Sequence, residues 1–255
     1  MEIRNIGTPL TASQRHSYRE TPDDSFYSAY QAAFKAPSAS QADGTATPAT
    51  KSLADILGAT HSELSAMRGV SQESQATYAT ILNKAYSSGG IENARQFLGS
   101  LSAQELDAVR QNHCLADPIN TAGLSEEGAE NLLLPEGYSV DLNRDGIDEV
   151  GAARTASFPP KDAPVVFKEA WFQATASMEP GMAMTYGLML HDAVYGMQIN
   201  GQSQGSLYAA DNIDSYRSIV GNYLDSLEAY KGMLADGQYE RDKRFFTQLQ
   251  ALLAA

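Results

Sequence analysis

With 255 residues, of which 43% are hydrophobic and 19% charged, the chain has the make-up of a globular protein with one large core or two modest ones. Its net charge of −13 speaks against nucleic acid or an anionic membrane surface as partner, because both repel an acidic protein. A single cysteine, Cys114, rules out an internal disulfide framework, and no run approaches the roughly 18 apolar residues that a membrane span requires. The opening Met1-Glu2-Ile3-Arg4-Asn5-Ile6-Gly7 has no basic stretch followed by an apolar one. The expected location is therefore cytoplasmic by default, with export that needs no cleaved signal left open.

Residues 1–50 read as a disordered or loosely attached polar tail, rich in Ser, Thr, Ala, Gln and Pro. Within it, residues 24–35 place Phe26, Tyr27, Tyr30 and Phe34 on one helical face, which suits docking on a partner or packing back onto the body. Residues 51–135 form a helical region. Ser52 caps a helix with Leu53, Ile56, Leu57, Leu64 and Met67 on one side, and Ser71 opens another that ends at Gly89-Gly90. Ser102 and Glu105 form a capping box, in which each side chain satisfies the other's free backbone amide. Ser125 begins one more helix, stopped by Pro135 and Gly137.

Residues 136–160 are expected to form a small β-hairpin, with Tyr138-Ser139-Val140 and Glu149-Val150 flanking an acidic loop. Residues 161–255 return to helix. One starts near Asp162 and Pro164, a Met-rich one runs from Glu179-Pro180 to about Met197, and two more, Ile213 to Leu234 and Tyr239 to Leu253, form an antiparallel helical hairpin. The fold class expected is mainly α, with helical bundle regions and a small β-hairpin carrying a calcium-type loop.

The chemically specific stretch is that loop, Asp141-Leu142-Asn143-Arg144-Asp145-Gly146-Ile147-Asp148-Glu149. Side-chain oxygens stand at its positions 1, 3, 5 and 9, with Gly146 at position 6 for a sharp turn. Four acids crowd nine residues with Arg144 to offset them, and like charges held close repel until a divalent ion relieves them. The wider segment from Glu105 to Glu149 holds eleven Asp and Glu against two Arg, a field that suits a cation or a basic partner surface. The competing reading is an Asx-rich solvated turn with no metal.

The loop resembles those of the EF-hand family and, more closely, the short calcium loops of integrin-type repeat proteins, Asp-x-Asn-x-Asp-Gly-x-x-Asp/Glu. That resemblance implies Ca2+ held by the side chains of Asp141, Asn143, Asp145 and Glu149 and by the backbone carbonyl of Ile147. Two positions depart from the EF-hand: its twelfth, a bidentate acid, is Ala152 here, and its apolar eighth is Asp148. A nine-residue loop closing a hairpin is the better match.

Signals for catalysis are weaker. Gly201-Gln202-Ser203-Gln204-Gly205 has the spacing of a nucleophile elbow, yet His16, His61, His113 and His191 all precede Ser203. Neighbours such as His113-Cys114 and His191-Asp192 point about 100° apart on a helix. Acids in a first turn, Glu126 and Glu127, ordinarily complement the helix dipole. Met178, Met182, Met184, Met189 and Met197 suit core filling ahead of a partner groove. The expectation is a non-enzymatic calcium-binding protein with an unidentified protein partner. Its alternatives are an exported bacterial interaction protein with a polar N-terminal export tail, and a hydrolase using the acidic 105–149 segment.

Overall fold

A computed structural model describes residues 18–35, 52–196, 198, 199, 202, 203, 206 and 208–254. Most of the expected polar tail, residues 1–17 and 36–51, thus lies outside the described residues. Among the described residues, eleven α-helices and two small two-stranded sheets carry the regular structure, so the chain is mainly α. They belong to two compact units, 19–155 and 156–254, with Tyr18 grouped with the second. The acidic loop, residues 141–149, falls in the same unit as the helices that precede it.

In the first unit α1 is Asp24–Lys35, α2 Leu53–Leu57, α3 Ala59–Arg68, α4 Gln72–Ser88, α5 Ala94–Gly99, α6 Ala103–Asn112 and α7 Glu126–Leu132. Serine caps at Ser52, Ser71, Ser102 and Ser125 set the starts of α2, α4, α6 and α7. Ser102 Oγ accepts the Glu105 N–H at 3.2 Å while Glu105 accepts the Ser102 N–H at 2.8 Å. The single helix expected from Ser52 to Met67 is two, because Gly58, at φ 91°, leaves helical geometry between α2 and α3. Met67 consequently points into solvent, 70% exposed. The core gathers Tyr78 and Leu82 of α4 with Leu98, Val109 and Leu132, each fully enclosed. Burying one such aliphatic side chain stabilises by about 1.5–3 kcal/mol. Helix α1 packs back onto this unit: Tyr30 is buried and its hydroxyl donates to the Ala79 carbonyl at 2.9 Å.

Strands β1 (Ile147–Val150) and β2 (Ala153–Ala156) pair across Gly151-Ala152. A small hairpin exists, but the loop leads into its first strand and does not close it. Tyr138 pairs instead with Glu20 in a parallel bridge, where the Glu20 N–H donates to Gly137 O at 2.8 Å and the Ser139 N–H to Glu20 O at 2.9 Å. At Val140 the Asn131 side chain takes the place of a strand partner, accepting its N–H and donating to its carbonyl.

The second unit contains α8 (Val165–Thr175), α9 (Pro180–Tyr195), α10 (Ile213–Ala229) and α11 (Gln238–Ala254), with two-residue strands β3 (Gln198–Ile199) and β4 (Gln202–Ser203) pairing antiparallel. Helices α10 and α11 pack together as the expected hairpin. Helix α10 stops at Ala229, five residues early, and a 3-10 turn over Lys231–Met233 leaves Met233 almost fully exposed. Met178, Met182 and Met189 fill the margins of the core, whereas Met184 of α9 is 65% exposed; Met197 lies outside the described residues.

Candidate metal centre

The site is built on α7. Ser125 caps this helix by accepting the Gly128 N–H at 2.9 Å. Spacing by four then sets Glu127 and Asn131 on one side, both buried. The Glu127 carboxylate spans the acidic loop: Oε2 accepts the Leu142 N–H at 2.9 Å and Oε1 the Glu149 N–H at 3.0 Å. Asn131 accepts the Val140 N–H at 2.7 Å and donates to the carbonyls of Val140 at 3.0 Å and Glu149 at 2.7 Å. Past the loop, the Gly151 N–H donates to Gly128 O at 2.8 Å, and a Cβ on Gly128 would stand 2.3 Å from Gly151 O. Only glycine lets the hairpin turn approach the helix this closely. Both ends of the loop are thus held by one helical turn.

Inside the loop the side chains turn toward the backbone. Asp141 accepts the Asp145 N–H through Oδ1 at 3.2 Å and the Gly146 N–H through Oδ2 at 2.9 Å. Asn143 Oδ1 meets the same Asp145 N–H at 2.9 Å, and Asp145 Oδ1 accepts the Ile147 N–H at 2.8 Å. Left-handed φ values at Arg144 (56°) and Gly146 (74°) make the bend. The oxygens of positions 1, 3 and 5 are thus turned onto the backbone amides of residues 145–147. Position 7, Ile147, opens β1. Asp148 turns elsewhere and is buried, accepting the Ser139 hydroxyl at 3.0 Å.

Position 9, Glu149, accepts the Ser125 hydroxyl through Oε2. Its Oε1 lies 3.2 Å from Arg154 Nε, and Arg154 Nη2 lies 3.6 Å from Asp145 Oδ2. One guanidinium from β2 thus joins positions 5 and 9. Among the described residues, no three His, Cys, Asp or Glu side chains are assembled as a ready metal-binding group. The candidate ligands are engaged with loop amides, Ser125 and Arg154.

Charge is concentrated here. Burial pushes the Glu127 carboxyl above its usual range and the charges of Asp141 and Glu149 push the same way, opposed by its two amide bonds. Burial also raises Glu130, with Glu127 and Glu126 adding to it. Sequence reasoning assigned Glu127 to the helix dipole, read Ser125 as a cap without its bond to Glu149, and overlooked Asn131 and Arg154. The signal available was an acid and an amide four residues apart on a short helix, flanked by Gly128 and Ala129.

Among the described residues the catalytic candidates do not come together. His113 Nε2 lies 2.9 Å from the Tyr78 hydroxyl and 3.1 Å from Leu132 O, while Cys114 faces solvent. Glu126 pairs with Arg95 at 2.9 Å on the surface. His191 is buried but Asp192 is exposed. Of the Gly201–Gly205 stretch, the described part is the Gln202-Ser203 backbone. Compared with protein-family models, curated proteins and solved structures, the chain finds no match, so its function rests on its own residues.

Proposed function

We propose that this is a non-enzymatic calcium-binding protein in which one Ca2+ stabilises a helical scaffold that binds a protein partner. The side chains of Asp141, Asn143, Asp145 and Glu149 and the Ile147 carbonyl would hold the ion. An all-oxygen donor set suits a hard cation such as calcium over zinc or copper. The observation that carries this reading is the turn of the Asp141, Asn143 and Asp145 oxygens onto the amides of one tight bend, in a loop whose two ends hang on the buried Glu127 carboxylate. Bound there, the ion offsets the repulsion among Asp141, Asp145, Glu149 and Glu127, and so steadies the segment from Val140 to the β1–β2 turn. A basic partner surface complements the acidic 105–149 segment.

With Ala152 at the twelfth position, affinity belongs near the 10⁻⁴ M class, on the order of extracellular modules. About 10 mM Ca2+ then stands roughly a hundredfold above Kd and adds about 2.7 kcal/mol. For a chain of this size the melting temperature rises by about 5–10 °C. Scanning calorimetry of wild type and Asp141→Ala, each with Ca2+ and with EDTA, tests the reading. The rise is expected in wild type and absent in the variant; an equal melting temperature in both wild-type samples rejects it.

A further inference from the structure

We infer that His61 is an acid-sensitive latch: neutral, it pins the segment 136–139 on which residues 19–27 lie, and a proton on its ring frees both. The inference stands apart from the calcium reading. It starts from Asn112, whose amide nitrogen donates to the carbonyls of Ser74 at 3.2 Å and Ala108 at 2.8 Å. Asn112 Oδ1 is therefore the acceptor, and His61 Nε2, 3.0 Å away, carries the ring hydrogen. The other ring nitrogen, Nδ1, is then a bare lone pair, which accepts the Glu136 N–H at 3.1 Å. The ring is fully enclosed and stacked on Tyr78 of α4, so no water replaces a lost partner. A second proton can enter only at Nδ1, where it opposes the Glu136 amide hydrogen and ends that bond.

Glu136 is where the N-terminal segment is attached. Its carboxylate receives Arg68 of α3 at 2.6 Å and Arg19 at 3.3 Å. The residues after it hold Glu20, whose N–H donates to Gly137 O and whose carbonyl accepts the Ser139 N–H. Phe26 of α1 then packs on Tyr138, with ring centroids 4.3 Å apart. The charged and titratable groups around the ring are Arg68 on α3 itself, Tyr78 on α4, His113 at the end of α6, and Glu136 with Arg19. Burial holds His61 below its usual 6.5, and Arg68 pushes the same way against Asn112 and Glu136. Burial raises the Glu136 carboxyl, yet His113, Arg19 and Arg68 hold it below its usual range, so it stays charged while histidines titrate. The sign follows. Closure is fully favoured above pH 6.5 and weakens as pH falls below it, because the open form takes up the proton. Acid thus opens the Phe26–Tyr138 seam.

The test is native-state hydrogen exchange of the full chain, read by NMR at the Glu20 and Ser139 amides and corrected for the intrinsic pH dependence of exchange. The opening equilibrium in wild type is expected to rise about tenfold between roughly pH 7.5 and pH 5.5. His61→Gln offers the same acceptor and donor without a titrating ring, and should abolish the rise. His113→Gln should keep it. Ring nitrogen shifts of the four histidines give a readout that needs no variant. His61 should be the Nε2–H tautomer at neutral pH and titrate below 6.5. A flat wild type, a rise that survives in His61→Gln or is lost in His113→Gln, an Nδ1–H tautomer, or a His61 midpoint at or above 6.5 each overturns the inference.

Discussion

Around Phe167, Trp171 and Phe246 the second unit is filled with stacked rings, whereas the centre of the first is threaded with polar side chains. Phe167 lies face to face with Tyr216 at 3.7 Å between centroids, Tyr186 with Phe245 at 4.1 Å and Tyr223 with Phe246 at 4.9 Å. In the first unit His61 Nε2 lies 3.0 Å from Asn112 Oδ1 and stacks on Tyr78. Glu136 there receives Arg68 at 2.6 Å and Arg19 at 3.3 Å. Apolar ring burial does not depend on protons or ions. A buried polar network holds in one protonation state, and each lost partner leaves a group unsatisfied. The comparison teaches that ring packing carries most of one unit, and that the other depends more on the protonation of the groups at its centre.

The largest expected effect strikes the ring-filled unit. Phe246→Ala, at a fully enclosed position, should lose about 3–5 kcal/mol through lost burial and the cavity left behind. Urea unfolding followed by fluorescence of the single tryptophan, Trp171, reports on that unit directly. The loss should be the same at pH 7 and pH 5, and a loss that varied with pH would break the comparison.

Next comes acid acting on the polar unit. Burial holds the His113 ring down from 6.5 to about 4, so the folded state keeps it neutral where the unfolded chain takes up a proton. Its contribution is fully present above pH 6.5 and lost as pH falls from there toward 4, about 3 kcal/mol in all. His113→Gln should flatten the dependence of stability on pH across that window in unfolding followed by circular dichroism. An unchanged slope would remove His113 from the account.

Asn131→Ala should lose about 2 kcal/mol, since it strips partners from Val140 and from the Glu149 carbonyl at once. It should also blunt the calcium-dependent rise that the proposed function expects, which a purely local packing role would not do. The smallest effect is expected at Met184→Ser on α9, within about 0.5 kcal/mol because the side chain already faces water.

Much of this architecture was legible as local chemistry. The Ser102–Glu105 box, the Ser71 and Ser125 caps and the left-handed Gly89 mark helix ends where they occur, because capping joins residues three or four apart. Asp141, Asn143 and Asp145 share one turn for the same reason: alternate side chains around a Gly146 bend reach only nearby amides. Gly58 was the local signal left unused, and reading it as a stop would have divided α2 from α3.

Chain-distant partnerships had no such signature. The pairing of Tyr138 with Glu20 and the hold of Glu127 and Asn131 on the loop join segments separated by intervening structure, while Arg154 rather than Arg144 reaches Glu149 only because β2 folds back on β1. From sequence alone came an acidic, mainly helical chain with one oxygen-rich bend, since propensity, capping and charge act over a few residues. The tertiary structure decided which buried carboxylate holds that bend and which arginine sits on its spare oxygens, because backbone amides left over by one segment can be satisfied only by whatever the fold brings against them.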